Sequence, residues 1–296
     1  MRILITGANG QLGTELKKQL EQGKCSLGEI PDRFRNTTVD AIDLAELDLT
    51  DKYAVKEYLR NGSYDIVFNC AAYTNVDGCE SHREDAYKVN ALAPLFLAEA
   101  CEKTETQLFH VSTDYVFPGT ENSPRTEYDV PNPVSVYGKT KYAGECFVRE
   151  NCTRYFIIRT AWLYGQGKNF VKTILRVAKE KGTVRVVNDQ FGNPTSAVDL
   201  AYHMLKIADT APYGLYHGTN NGVCSWYEFA KEFVSYAGVD AEVLPCTTEE
   251  YPTPTKRPAY SALDNLALRA TVGDEFRPWQ DAVHEYIDML KKEGTI

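Results

Sequence analysis

Ile3-Leu4-Ile5-Thr6-Gly7-Ala8-Asn9-Gly10-Gln11-Leu12-Gly13 occupies the first positions of the chain. Arg2–Thr6 is a short β-branched run and Gln11–Gln22 carries a helical pattern, with the glycines between them recurring as Gly-x-x-Gly-x-x-Gly. Strand, glycine turn and helix in that order form an anion cradle. The turn lets backbone N–H groups approach a pyrophosphate, and the helix N-terminus favours its charge. The spacing departs from Gly-x-Gly-x-x-Gly. The alternative of three turn and packing glycines is weakened chiefly by the strand before and the helix after.

Strand patterns continue at Val39–Ile42, Asp65–Cys70, Gln107–Val111 and Tyr155–Arg159, with helical patterns at Lys52–Asn61, Cys79–Lys103 and Val136–Glu150 between them. Alternation at this spacing predicts a parallel sheet with helices on both faces, because parallel strands need crossover connections. Continuous apolar runs such as Ile66-Val67-Phe68 suit strands covered on both sides. After residue 160 the rhythm loosens. Helices are expected at Phe170–Lys181, Ala197–Asp209, Ser225–Ala237 and Trp279–Lys292, strands at Val184–Val187 and Tyr213–His217, and a proline-rich loop at Tyr251–Pro258. The expected organisation is a nucleotide-binding unit over residues 1–165 and a smaller α/β substrate unit over 166–296, some of whose segments return to the first.

With 296 residues, 43% hydrophobic and 25% charged, the chain is globular rather than disordered. A net charge of −9 argues against a nucleic-acid or anionic-membrane surface. It leaves room for an anionic small ligand held by a local positive site. No apolar run approaches the roughly 20 residues of a membrane helix, and no signal-peptide pattern is present, so a cytoplasmic location is expected. The eight cysteines include no Cys-x-x-Cys pair and the five histidines no His-x-x-x-His, so reduced thiols and no structural zinc are expected.

An acid to hold the adenosine ribose belongs at the end of the second strand. Asp43 is the candidate, displaced along the chain by an inserted loop at 23–38, and its charge would favour NADH over NADPH by opposing a 2′-phosphate. Asp48, beside Leu49, either reaches the adenine or caps the next helix. The third strand ends in Asn69-Cys70-Ala71-Ala72-Tyr73, small residues that suit either close cofactor approach or plain packing. The fourth ends in Ser112-Thr113-Asp114, and Tyr137-Gly138-Lys139-Thr140-Lys141 opens a helix. Tyr137 and Lys141 are four apart and share one helix face. An ammonium beside a phenol lowers its pKa toward the range that general acid–base chemistry needs, and the Thr113 hydroxyl could complete the hydrogen-bonded set.

These motifs, in this order, resemble the extended short-chain dehydrogenase/reductases, whose fold is a Rossmann-type doubly wound parallel sheet. Within them the chain resembles the dTDP-4-dehydrorhamnose reductase family. Thr6–Gly13 and Val136–Glu145 belong to the whole superfamily; the more specific stretches are Asn69–Tyr73, Ser112–Gly119, Arg159–Gly165, Asn188–Thr195 and Arg257–Ser261. The resemblance implies an NADH- or NADPH-dependent reduction of a dTDP-sugar at its C4 ketone. It makes Tyr137 the proton donor, Lys141 the ribose-binding group that lowers the Tyr137 pKa, and Thr113 the residue that orients the phenol. It implies that Gly7, Gly10, Gln11, Leu12, Gly13, Asp48, Leu49, Ala71, Ala72 and Tyr73 line the cofactor, with Asn90 supporting the site or merely bonding to backbone. Thr113, Asp114, Trp162, Asn169 and Arg257 are the substrate candidates. Arg257 is either a pyrophosphate clamp, since a guanidinium fork matches paired phosphate oxygens, or a surface arginine.

Tyr115 follows Asp114 where related dehydratases carry a second acid, which disfavours elimination of water. Mg²⁺ is reported for some members. Glu15 is the one candidate ligand, and without a clustered carboxylate set no metal is assigned. The resemblance allows a homodimer. It extends also to an NADP-binding regulatory subunit of methionine adenosyltransferase and to reductases or epimerases of other nucleotide sugars. The intact Thr113, Tyr137 and Lys141 set weighs against the first of these.

Overall fold

The computed structural model describes residues 1–296. A six-stranded parallel sheet is built from β1 (Arg2–Thr6), β2 (Thr38–Ile42), β3 (Ile66–Asn69), β4 (Gln107–Thr113), β5 (Tyr155–Thr160) and β7 (Gly214–His217), in the spatial order β2-β1-β3-β4-β5-β7. Successive side chains of a strand face opposite ways, so each strand feeds two cores. Ile3 and Ile5 pack with Phe68, Phe109 and Phe156 on one face, while Leu4 packs with Val67, Leu108 and Ile157 on the other.

α1 (Gln11–Gln22) covers the first face together with α6 (Ala197–Thr210). α2 (Lys52–Gly62), α3 (Ala93–Thr104) and α4 (Val136–Asn151) cover the second. α6 and β7 come from beyond residue 165, yet they pack into the first layer. A separate core joins α5 (Phe170–Lys181), α7 (Trp226–Ala237) and α8 (Trp279–Lys292) with a small parallel pair, β6 (Thr183–Val187) and β8 (Glu242–Cys246). The chain from β1 through α1 to β2 runs one way, and the crossover through α2 to β3 returns past β1. The sheet therefore has a switch point between β1 and β3, above whose carboxyl ends a crevice opens.

The helix expected over Cys79–Lys103 is not continuous. Short helices at Val76–Ser81 and Arg83–Tyr87 meet at His82, and a π-helical turn spans Lys88–Leu92 before α3 begins. Pro94 explains the change of pitch: it has no N–H to give the Asn90 carbonyl four residues back. All eight cysteines are free, and no helix is long and apolar enough to cross a membrane.

Candidate active site

A cleft of about 860 Å³ lies over the carboxyl ends of β1, β3, β4 and β5. Its floor is the glycine turn. Gly7 sits at φ 65°, and a Cβ there would come within 2.7 Å of the Ala71 backbone, so a side chain is excluded both by conformation and by space. Gly10 is the N-cap of α1 and has no side chain to satisfy the first helical N–H groups, which are left for a ligand. Gly7, Gly10, Gln11, Leu12 and Gly13 all line the cleft. A polyanion such as the pyrophosphate of a nicotinamide dinucleotide fits this cradle.

Asp43, Asp48 and Leu49 line the same cleft beyond β2. The Asp43 carboxylate accepts from the Asn9 and Leu44 N–H groups at 3.1 and 2.9 Å, so it also braces the glycine turn. Asp48 accepts from the Thr50 backbone and hydroxyl and does not cap α2; Asp51 does. Ala71, Ala72 and Tyr73 form the wall after β3. Asn90 is fully buried and does not line the cleft. From the π turn it accepts from the Tyr73 N–H at 2.8 Å and donates to the Tyr73 carbonyl and the Thr140 hydroxyl. It fastens the β3 loop to α4, two segments that carry site residues.

The chemistry-bearing side chains gather on the opposite wall. Thr113 ends β4, donates to Asp114 Oδ1 at 2.9 Å and accepts from the Tyr115 N–H. α4 opens at Ser135, whose hydroxyl accepts from the Gly138 N–H. A Cβ on Gly138 would stand 2.1 Å from the Tyr115 carbonyl. Only glycine lets the first turn of α4 approach the end of β4 so closely, which brings Tyr137 beside Thr113. The Tyr115 and Tyr137 rings meet edge to face at 5.5 Å.

Burial raises the Tyr137 phenol well above its ordinary value, and the neighbouring Thr113 hydroxyl offsets this only partly. The expected lowering by Lys141 is not found in this arrangement. The Lys141 ammonium donates to the Val111 carbonyl at 2.7 Å instead, and burial brings it down to about 8. Asp114 is pushed up to about 6, again chiefly by burial.

Beneath these groups lies a buried set whose role no sequence motif announces. Glu145, one turn beyond Lys141, receives both arms of Arg159 at 2.9 and 2.7 Å and the Ser112 hydroxyl at 2.5 Å. It ties α4 to β4 and β5. Its spacing from Tyr137 and Lys141 was the available signal.

Trp162 lines the cleft just past β5 at φ 47° and stacks on Trp226 of α7, with ring centroids 3.6 Å apart and planes 9° from parallel. A tryptophan in the left-handed region is strained, and Gly192 lies against the indole, where a Cβ would meet the ring at 2.6 Å. Trp226 also lines the cleft. No local motif marks it, and only the fold brings it there. Asn169 does not line the cleft. It caps α5, and its amide is committed to the Gly165 carbonyl and the Tyr286 hydroxyl. Arg257 does not line the cleft either; it bonds Asp77 at 3.1 Å and, at 3.3 Å, the hydroxyl of Tyr115, which does line it. Glu15 is buried on α1, bonded by Gln19 and paired with Lys18, and no three metal-ligating side chains are grouped around it.

The family model described as "RmlD substrate binding domain" matches residues 1–292. The dTDP-4-dehydrorhamnose reductase of Aggregatibacter actinomycetemcomitans is 39% identical, with 95% of this chain and 97% of that protein covered. Among solved structures, a dTDP-4-dehydrorhamnose reductase from Clostridium acetobutylicum superposes with a TM-score of 0.93 at 48% identity, covering 98% of this chain and 100% of the other. The Bacillus anthracis reductase, solved in complex with NADP, gives 0.90 at 38% identity over 97% and 99%.

Proposed function

The chain belongs to the dTDP-4-dehydrorhamnose reductase family, and we propose that it reduces the C4 ketone of dTDP-4-dehydro-β-L-rhamnose to dTDP-L-rhamnose with NADH or NADPH. One observation carries the reading: Thr113, Tyr137 and Lys141 share a cleft with the glycine turn and the α1 N-terminus. Residues 1–165 form the cofactor side and 166–296 shape the sugar-nucleotide side, with α6 and β7 returning to the first layer.

The nicotinamide, when bound, supplies the hydride. Tyr137 gives its proton to the C4 oxygen, and burial holds the phenol protonated at neutral pH, the state a donor needs. Thr113 orients that phenol. Lys141 takes the nicotinamide ribose, and its charge favours the negative oxygen that develops. Trp162, backed by Trp226, packs on the sugar. Arg257 exchanges Asp77 for the diphosphate of the sugar nucleotide, which restores its charge pairing.

Incubation with dTDP-4-dehydro-L-rhamnose should consume reduced nicotinamide, and no consumption with either cofactor would contradict the proposal. Tyr137→Phe is expected to lower kcat by about 10²–10⁴-fold while cofactor binding persists. Undiminished turnover would remove Tyr137 from its role.

A further inference from the structure

Asp114 is only 2% exposed, yet one of its carboxylate oxygens, Oδ2, has no hydrogen-bond partner. A buried carboxylate oxygen left unpaired is costly, and protonating the group relieves the cost. Its other oxygen accepts from the Thr113 hydroxyl at 2.9 Å, and that hydroxyl stands beside the Tyr137 phenol on the wall of the same cleft.

The groups around the carboxyl offer it no ion pair. Tyr115 of its own turn and Tyr137 of α4 stand beside it; Tyr137 in turn meets Cys79, and Tyr115 meets Asp77, both from the short helix Val76–Ser81. The loop beyond Tyr251 brings Ser261 to the carboxyl, its hydroxyl donating to the Phe191 carbonyl, and Arg257 to the Tyr115 hydroxyl. Arg257 is taken by Asp77 and the Tyr115 hydroxyl, and Lys141 by the Val111 carbonyl.

We propose that Asp114 is the proton reservoir for Tyr137, acting through the Thr113 hydroxyl; this rests on the reduction proposed above. A hydroxyl has one proton and can point it one way at a time. While Asp114 is a carboxylate, Thr113 donates to it and leaves the phenol without a donor. Once Asp114 carries a proton, Thr113 can turn toward Tyr137.

The sequence of transfers then balances. The Tyr137 O–H bond breaks as its proton joins the C4 oxygen. The Thr113 proton passes to the phenolate, and a proton carried on Asp114 Oδ1, the oxygen 2.9 Å from that hydroxyl, passes to the Thr113 oxygen, leaving a carboxylate that solvent reprotonates. Each turnover uses one hydride and one proton. Thr113 thereby does more than orient the phenol, and Asp114 does more than touch the sugar.

The test is kcat against pH, with solvent deuterium isotope effects, for the full chain, Asp114→Asn and Thr113→Val, using dTDP-4-dehydro-L-rhamnose and NADPH. The unaltered protein should lose kcat as pH rises through the Asp114 titration and show an isotope effect on kcat. Asp114→Asn keeps the side-chain shape and should lower kcat at least tenfold, with loss of that limb and a smaller change in KM. Thr113→Val should show the same loss of the limb, which decides the matter if Asp114→Asn does not fold. Retention of the limb and the isotope effect in both variants would overturn the relay and route the proton past Lys141 instead. A change confined to KM would make Asp114 a substrate contact only. Absence of turnover in the unaltered protein would strike the reduction itself rather than the relay.

Discussion

A phenol that protonates an alkoxide should be fully protonated beforehand, and Tyr137 reaches that state through burial rather than through a charged neighbour. Burial acts on Asp114 in the same direction, but here its consequence for stability falls at moderate pH. Its folded pKa of about 6 exceeds the ordinary 3.8. The folded state therefore holds the proton more tightly, the carboxyl costs nothing below the unfolded value, and it destabilises increasingly as pH rises toward and through about 6. Asp114→Asn should raise the melting temperature more at pH 8 than at pH 4, by an amount equivalent to roughly 1–3 kcal/mol. Equal shifts at both pH values would contradict the buried-charge account. At the far end of the cleft, Asp43 and Glu46 stand together after β2. Asp43→Ala should raise kcat/KM for NADPH relative to NADH several-fold, and an unchanged ratio would show that Asp43 serves the glycine turn alone. Tyr137, Lys141 and Thr113 were legible from spacing, because a helix face and a strand end are local geometry. The pKa directions were not, because burial is set by how separate segments pack, as Cys79 meets Tyr137 and Ser261 meets Asp114.

At the scale of elements, α4 works as a unit: Tyr137, Lys141 and Glu145 lie on one face and engage the ends of β4 and β5. The Arg159–Glu145 pair is essentially inaccessible, with side-chain exposures of 1% and 0%. Breaking one partner of such a pair strands a buried charge, so Arg159→Met should destabilise the protein by about 3–5 kcal/mol. Chemical denaturation measures this directly, and a loss under about 1 kcal/mol, the scale of an exposed pair, would mean that the site admits water. Most elements could be read from periodicity, since β1 to β7 and every helix but α3 keep recognisable patterns. The helix expected over Cys79–Lys103 failed at Pro94 and His82, where a missing N–H and a change of pitch interrupt an otherwise helical composition. Glu242–Cys246 was missed because it alternates poorly and gains its place by pairing with Thr183–Val187.

For the whole molecule, the switch point between β1 and β3 puts the anion cradle and the proton-handling wall on one cleft. A net charge of −9 provides no general attraction for a dinucleotide or a sugar nucleotide. On the reading proposed above, binding rests on local devices: the glycine turn and α1 N-terminus that line the cleft, and Arg257 from a distant loop. Arg257→Ala should raise KM for the dTDP-sugar about tenfold, as for the loss of one charge-assisted bond of about 1.5–3 kcal/mol, with kcat changed less. A KM change for the nicotinamide instead would place the arginine on the cofactor. The cofactor half could be read from motifs at strand ends. The stacking of Trp162 on Trp226 and the pairing of Arg257 with Asp77 could not, since each joins segments that only the folded chain brings together. The most direct measurement supplies the protein with NADPH deuterated at nicotinamide C4 and dTDP-4-dehydro-L-rhamnose, and locates the label in the product by NMR. Deuterium at C4 of dTDP-L-rhamnose is the predicted result; unreacted ketone, or a product without label at C4, would contradict the assigned reduction.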